Sequence, residues 1–312
     1  MSLERALELV AASPGVAYPN PTVGAVVVRD GKTVGEGVTE PYGGRHGEVV
    51  ALDAAGDAAR EATLYVTMEP CAHHGRTPPC VEAILAAGVG RVVAGCLDPN
   101  HEAAGGLEQL RAAGVEVELD DRLEARRQNL AWRTWTGLGR PYVTLKLAVS
   151  LDGRVVVPGR RWVTGESSRR RVHELRAEVD AVAVGMGTVR ADAPRLDARD
   201  VTVIRQPRRL VFGRGPLPEK SGLELRRGAL PDELGALARE GVQSLLLEGG
   251  PKLATSFLRD GLVDRVIVFV APVLAGGGLH ALGDLDLPVD LTPLAVEALG
   301  GDAVLEAFVN PP

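Results

Sequence analysis

Two consecutive α/β domains are predicted for this 312-residue chain. Three observations carry that prediction. The length exceeds what one average domain uses. In both halves, short apolar runs alternate with stretches whose apolar residues recur at helical spacing. Between the halves, residues 131–141 interrupt the alternation with two tryptophans, two glycines and a proline, and the boundary is placed at 140/141.

The first half opens with a helix, because Leu3, Ala6, Leu7 and Val10 fall on one face and Ser13-Pro14-Gly15 ends it. Val23–Val28 and Thr33–Val38 read as strands, joined by an Asp30-Gly31 hairpin turn. Gly47–Ala59 is predicted as a helix, Ala62–Met68 as a strand, Cys80–Ala87 as a helix with Pro79 at its first position, and Arg91–Cys96 as a strand. Gly106–Ala113 and Val115–Leu119 form another helix–strand pair, and Asp120–Leu130 a charged helix. A hairpin followed by this alternation implies a mixed sheet covered by helices.

The second half restarts with a strand at Tyr142–Val149, then a helix at Glu166–Glu178 with arginines on its exposed turns. Strands follow at Ala181–Gly185, Arg209–Phe212, Ser244–Leu247 and Arg265–Val270, with helices at Pro231–Glu240 and Lys252–Asp260. No G-x-G-x-x-G follows the first strand of either half, so a standard dinucleotide fingerprint is absent.

Composition excludes several classes. Lys plus Arg number 35 against 41 Asp plus Glu, a net charge of −6. Such a balance argues against nucleic acid as a partner, yet allows a small phosphorylated substrate gripped by a few arginines. Three cysteines without framework spacing point to a reducing compartment. No charged segment precedes an apolar one at the N-terminus, and no stretch is apolar enough to span a bilayer, so a cytoplasmic protein without a membrane partner is expected.

Chemistry concentrates between His46 and Cys80. His46-Gly47-Glu48 is followed by Pro70-Cys71-Ala72-His73-His74-Gly75-Arg76-Thr77-Pro78-Pro79-Cys80. One imidazole and two thiols suit zinc, and three protein ligands leave a tetrahedral ion one open position. Glu48 is placed to handle the proton of a water rather than to bind metal, as in the H-x-E…P-C-x-x-C pattern of nucleobase deaminases. Here the second cysteine comes later, after a loop containing His73, His74 and Arg76. A closed structural zinc is the alternative, and would need His73 or His74 as fourth ligand.

The order of these motifs, with Pro19-Asn20-Pro21-Thr22-Val23-Gly24, Gly75-Arg76-Thr77-Pro78-Pro79-Cys80 and Asp98-Pro99-Asn100, resembles the bifunctional deaminase/reductase family of riboflavin biosynthesis. Pro141–Lys146, Ser150–Gly153, Trp162-Val163-Thr164, Gly187-Thr188-Val189, Ala191–Pro194 and Glu248-Gly249-Gly250 continue the match in order. The resemblance implies a cytidine-deaminase-like domain (1–140) and a dihydrofolate-reductase-like domain (141–312). The first would deaminate the diamino-hydroxy-phosphoribosylamino-pyrimidine made by opening GTP. The second would use NADPH to reduce the ribosyl group to ribityl. It further implies Zn2+ on His46, Cys71 and Cys80, with Glu48 as proton shuttle, and substrate against Asn20 and Arg76. In the second half it assigns substrate contacts to Arg176, Leu196, Arg199 and Glu248. NADPH contacts fall to Val149, Trp162, Thr188, Asp192 and the run Gly250, Pro251, Lys252, Leu253, Ala254, Thr255 and Ser256. A homo-oligomer is expected.

The residues themselves are compatible with these roles. Arginine forks pair two phosphate oxygens, and a helix after Glu248-Gly249-Gly250 would offer backbone N–H groups to a phosphate. Read without that context, a plain strand-to-helix turn explains the two glycines better. The chain departs from the family in places. Gly47 stands where alanine is usual, Thr39 where a substrate-facing histidine is common, and Arg160 in place of a serine. Phe212-Gly213-Arg214 replaces an Asp-Ser strand end, and Leu217–Leu230 reads as too short for the strand expected there. A deaminase with a non-catalytic second domain is therefore the alternative.

Overall fold

The computed structural model describes residues 2–292 and 294–311, so the outer limits of the two expected domains, Met1 and Pro312, lie outside the described residues. The chain divides into two compact units between Gly137 and Leu138.

In the first unit, α1 (Ser2–Ala11) precedes a hairpin of β1 (Gly24–Arg29) and β2 (Lys32–Val38). Asp30 and Gly31 both take positive φ, 50° and 73°, as the tight turn requires. Then come α2 (Gly47–Ala55), β3 (Thr63–Val66), α3 (Cys80–Ala87), β4 (Arg91–Ala94), α4 (Gly106–Ala112) and β5 (Glu116–Leu119). The sheet order is β2-β1-β3-β4-β5. β1 runs antiparallel to both neighbours, and β3, β4 and β5 are parallel, which makes the mixed sheet expected. Ala25, Val27, Leu64, Val66 and Val92 from the strands meet Ala51, Leu52, Ile84 and Leu110 from the helices in one core. Parallel strands direct their C-terminal ends, and the loops after them, toward the helix starts that carry His46 and Cys80.

Three local expectations are corrected here. The helix expected over Gly47–Ala59 ends at Ala55, and a 3-10 turn covers Gly56–Ala59. Pro79 is the cap preceding α3 (φ −58°, ψ 138°), and Cys80 is the first helical residue. The charged helix is two helices, α5 (Leu123–Gln128) and α6 (Leu130–Leu138), so the stretch placed as a break is largely helical. Asn129 leaves helical geometry between them (φ −122°, ψ 39°). Its side chain accepts from Thr22 N–H at 3.0 Å and donates to Thr22 C=O at 2.9 Å. A long-range side-chain clamp, invisible to local periodicity, thus decides where the helix bends.

Gly47 has a packing reason to lack a side chain. A Cβ there would lie 2.3 Å from the Val23 carbonyl oxygen. Helix propensity alone favours Gly47→Ala by about 1 kcal/mol. The clash is with rigid backbone, and overpacking typically costs ~1–3 kcal/mol. Gly47→Ala is expected to lower the denaturation midpoint. A raised midpoint would show that α2 can move away from β1 freely.

The second unit is built on β6 (Tyr142–Ser150), β7 (Ala181–Gly185), β8 (Arg208–Phe212), β9 (Glu224–Arg226), β10 (Ser244–Leu247), β11 (Arg265–Ala271), β12 (Leu294–Leu299) and β13 (Asp302–Phe308). Their order is β12-β13-β11-β6-β10-β7-β8-β9. All neighbours from β11 to β9 pair in parallel, while β13 is antiparallel to β11 and β12. The helices are α7 (Glu166–Glu178), α8 (Met186–Asp192), α9 (Leu230–Arg239) and α10 (Pro251–Arg259). Strand alternation sorts the faces. Val143, Leu145, Ala181, Ala183, Leu245 and Leu247 pack with Leu234, Leu237 and Phe257 of α9 and α10. Val182, Val184, Leu246 and Phe269 pack with Leu175, Met186 and Val189 of α7 and α8.

Two readings of this half change. The segment taken as too short for a strand holds β9, three residues paired to β8. The hairpin of β12 and β13 was not foreseen, because Leu294–Leu299 is rich in residues that favour helices; pairing with a neighbouring strand outweighs local preference.

Candidate active sites

In the first unit, His46 caps α2 in extended backbone, Cys80 opens α3, and Cys71 lies in the loop after β3. One ligand atom from each lies within 4.8 Å of the others. His46 Nδ1 is 3.2 Å from Cys80 Sγ and 3.5 Å from Cys71 Sγ. Zn–N and Zn–S bonds at a tetrahedral angle put nitrogen and sulfur about 3.6 Å apart, so the donor set fits zinc in both type and spacing. The Cys80 N–H donates to Cys71 Sγ at 3.3 Å. With bonds from Cys80 and His46, the Cys71 thiol is held below its ordinary value, whereas its bond to Cys71 and its burial push Cys80 up. His46 is raised, chiefly by its bond to Cys71.

Glu48 sits in the first turn of α2, 3% exposed, and its Oε2 has no hydrogen-bond partner among the described residues. Burial, and then the charge of Cys71, push its carboxyl up to about 7. A carboxyl poised near neutrality can both take and return a proton. His74 pairs with Glu82 at 3.1 Å, and neither His73 nor His74 joins the ligand group among the described residues. The closed four-ligand alternative therefore loses its fourth ligand.

Of the expected substrate contacts in this unit, Arg76 is exposed, with its guanidinium 4.5 Å over the Tyr42 ring. Asn20 is exposed, two residues before the clamped Thr22. Thr39, in place of the family histidine, is buried and spends its hydroxyl on Val23 N–H and C=O. Sequence reasoning missed Glu69. It is 5% exposed, and its two oxygens accept N–H bonds from Asp98, Gly105 and Leu107. It ties the loops around Cys71, and its place directly before Pro70-Cys71 was its available signal.

In the second unit, Glu248 follows β10 and Lys146 lies on β6. The parallel register pairs Leu247 with Leu145, so the next residues along, Glu248 and Lys146, face each other. Lys146 Nζ lies 3.0 Å from Glu248 Oε2, and Arg176 donates to both carboxylate oxygens at 2.6 and 3.0 Å. Burial would raise the Glu248 carboxyl, but Lys146 and then Arg176 outweigh it and hold it down to about 2. Arg176, expected on a solvated turn, is instead 13% exposed and points inward. It also donates to the Asp197 carbonyl at 3.1 Å, and the Asp197 carboxylate accepts from Arg199 at 2.7 Å. Arg176, Arg199 and Glu248 therefore form one network, with Lys146 and Asp197 as members that sequence reasoning missed. Leu196 adjoins it with a positive φ of 58°, but its side chain is packed in the core, so its main chain is the part left to meet a ligand.

The expected cofactor residues are less uniform. Thr188 and Gly250 are neighbours: a Cβ on Gly250 would lie 3.1 Å from Thr188 Oγ1. Trp162 is half exposed, with the guanidiniums of Arg161 and Arg169 at 5.1 and 5.6 Å from its ring. Asp192 is exposed at the end of α8, and Val149 is buried in β6. The run Gly250–Ser256 does not act as one surface, because it winds into α10. Ala254 is fully buried, Thr255 is buried and bonds Pro251 C=O and Gly283 N–H, while Lys252 and Ser256 face outward. The expected cradle of backbone donors is also narrower, since Pro251 has no N–H and Leu253 N–H turns back to Gly250 C=O. Arg214 is exposed, and its carbonyl accepts from Arg190.

Fold and ligand set together define a zinc-binding deaminase joined to a second α/β enzyme domain. The description "Cytidine and deoxycytidylate deaminase zinc-binding region" matches residues 2–96, and "RibD C-terminal domain" matches residues 141–305. The riboflavin biosynthesis protein RibD of Aquifex aeolicus is 40% identical, with 97% of this chain and 96% of that protein covered. RibD of Mycobacterium tuberculosis is 41% identical, with 93% and 91% covered. Among solved structures, Acinetobacter baumannii RibD superposes with a TM-score of 0.87 at 35% identity, covering 98% of this chain and 97% of that one. A Thermotoga maritima diaminohydroxyphosphoribosylaminopyrimidine deaminase/5-amino-6-(5-phosphoribosylamino)uracil reductase gives 0.83 at 33% identity, with the same coverage. The chain belongs to the RibD family of bifunctional deaminase/reductases of riboflavin biosynthesis.

Proposed function

We propose that residues 1–140 deaminate 2,5-diamino-6-(5-phosphoribosylamino)pyrimidin-4(3H)-one and residues 141–312 then reduce the ribosyl group of the product to ribityl with NADPH. The observation that carries the reading is the His46, Cys71, Cys80 group with, beside it, a buried Glu48 oxygen that has no partner among the described residues. His46, Cys71 and Cys80 would hold zinc, which when bound polarises water toward hydroxide at neutral pH. Glu48 takes the proton that water gives up and returns it to the departing amino nitrogen. Arg76 and Asn20 bind the phosphoribosyl-bearing substrate at the rim.

In the second unit, Arg199 and the main chain of Leu196 meet substrate beside the Lys146–Glu248–Arg176 network, and Thr188, Trp162 and the start of α10 receive NADPH. Val149, Asp192, Lys252 and Ser256 would flank the cofactor through whatever groups they leave exposed. A non-catalytic second domain is not favoured, since its family match spans 141–305 and the charged network is intact. The partners are then small molecules rather than nucleic acid. Among the described residues no helix is long and apolar enough to cross a membrane. Three free cysteines agree with a cytoplasmic setting, and a homo-oligomer is the expected assembly.

Incubating the protein with the diamino-pyrimidine phosphate, with and without NADPH, tests the reading by product mass. An amino group should be exchanged for oxygen without NADPH, and a hydride and a proton added only when NADPH is present. Reduction without deamination, or neither change, would overturn it. Metal analysis of Cys80→Ser should show severe zinc loss from about one ion per chain. Full retention would point to another ligand set.

A further inference from the structure

We infer that Thr77 is a positioning residue for the metal centre: its hydroxyl accepts from His46 Nε2–H and so holds the imidazole in the tautomer whose Nδ1 lone pair faces the two sulfurs. The geometry is direct. Thr77 Oγ1 lies 3.2 Å from His46 Nε2, while Nδ1 of the same ring lies 3.2 and 3.5 Å from Cys80 Sγ and Cys71 Sγ. The ring is therefore held on both sides, with Nδ1 committed to the ligand cluster. A neutral imidazole carries one N–H, and a ligand nitrogen must offer its lone pair. With Nδ1 as the ligand, the proton belongs on Nε2, where Thr77 oxygen is the acceptor.

The placement of Thr77 in the chain strengthens the argument. It lies in the loop between Cys71 and Cys80, three residues before the second ligand, so the loop that delivers one ligand also orients another. The adjacent Arg76 lies over Tyr42, which precedes His46 by four residues. The loop is thus tacked twice to the segment leading into α2, once by a stacked guanidinium and once by the bond to the ligand histidine. A partner that orients a ligand histidine commonly changes metal affinity 10–100-fold when removed.

This inference rests on the zinc reading above, and the wild-type zinc content tests that reading separately. Thr77→Val keeps the shape and removes the acceptor; Thr77→Ser keeps the acceptor. Zinc affinity, measured by competition with a chromophoric chelator, is expected to fall about 10–100-fold in Thr77→Val and to stay within about threefold of wild type in Thr77→Ser. The visible absorption of the cobalt-substituted protein should change in the valine variant and be restored in the serine variant. Unchanged affinity in Thr77→Val, or equal losses in both variants, would overturn the assignment. Should the valine variant not fold, nitrogen NMR of histidine-labelled, zinc-loaded wild type still decides. His46 should carry its proton on Nε2 and the metal on Nδ1, and the reverse assignment would overturn the inference.

Discussion

Glu48→Gln is expected to retain zinc while deaminase turnover falls about 10²–10⁴-fold, the range typical of removing a general acid/base. The carboxyl is buried, one oxygen lacks a partner among the described residues, and burial keeps its proton affinity near neutrality, at about 7. An amide of the same shape fills the space but cannot carry the proton. The loss should appear in kcat more than in KM, because the proton is transferred during the chemical step. Reduction of supplied, already deaminated intermediate should be unchanged. Near-normal turnover in Glu48→Gln would remove it from the chemistry, and loss of zinc would make it a ligand.

Arg176→Leu should strongly destabilise the second unit. Arg176 and Glu248 are 13% and 6% exposed, so solvent screens the pair little. Removing one partner of a buried ion pair typically costs about 3–5 kcal/mol, because the other charge remains buried. Lys146 would still face Glu248 and moderates the loss. The double variant Arg176→Leu/Glu248→Leu should lose less stability than the sum of the single changes. Additive losses in denaturant unfolding would show that the charges act independently. The pH dependence has a definite sign. Glu248 is held down to about 2, below its ordinary 4.5, so its ionised form stabilises the folded chain. That contribution is fully present above about pH 4.5 and should disappear as pH falls through 2. In Glu248→Gln, this part of the acid sensitivity should be absent.

Local chemistry along the chain was enough for the α/β alternation, most strand and helix centres, and the metal-ligand candidates. The strand Ser244–Leu247 holds a short buried apolar run between the polar Ser244 and Glu248, and a helix such as Cys80–Ala87 opens after proline and closes at a glycine. Ligand identity is a property of residue type, so His46, Cys71 and Cys80 stood out before any geometry. Gly-Arg-Thr-Pro-Pro-Cys spacing marked the loop that carries Thr77, but no spacing says which nitrogen of His46 the threonine meets.

What required the folded chain was every relation between residues distant in sequence. Asn129 bends a helix because Thr22, 107 positions away, has a carbonyl and an amide to satisfy. Gly47 lacks a side chain because Val23 oxygen occupies the space of a Cβ. Arg176 turns inward because the register of β6 and β10 places Lys146 beside Glu248, where a buried carboxylate flanked by cations is held in its charged form. The cofactor run divided for the same reason: a helix sends successive side chains in different directions, so Ala254 and Thr255 serve the interior while Lys252 and Ser256 face solvent. Periodicity reads the preference of one segment at a time, whereas register, close approach and buried charge pairing are set by the partner segment.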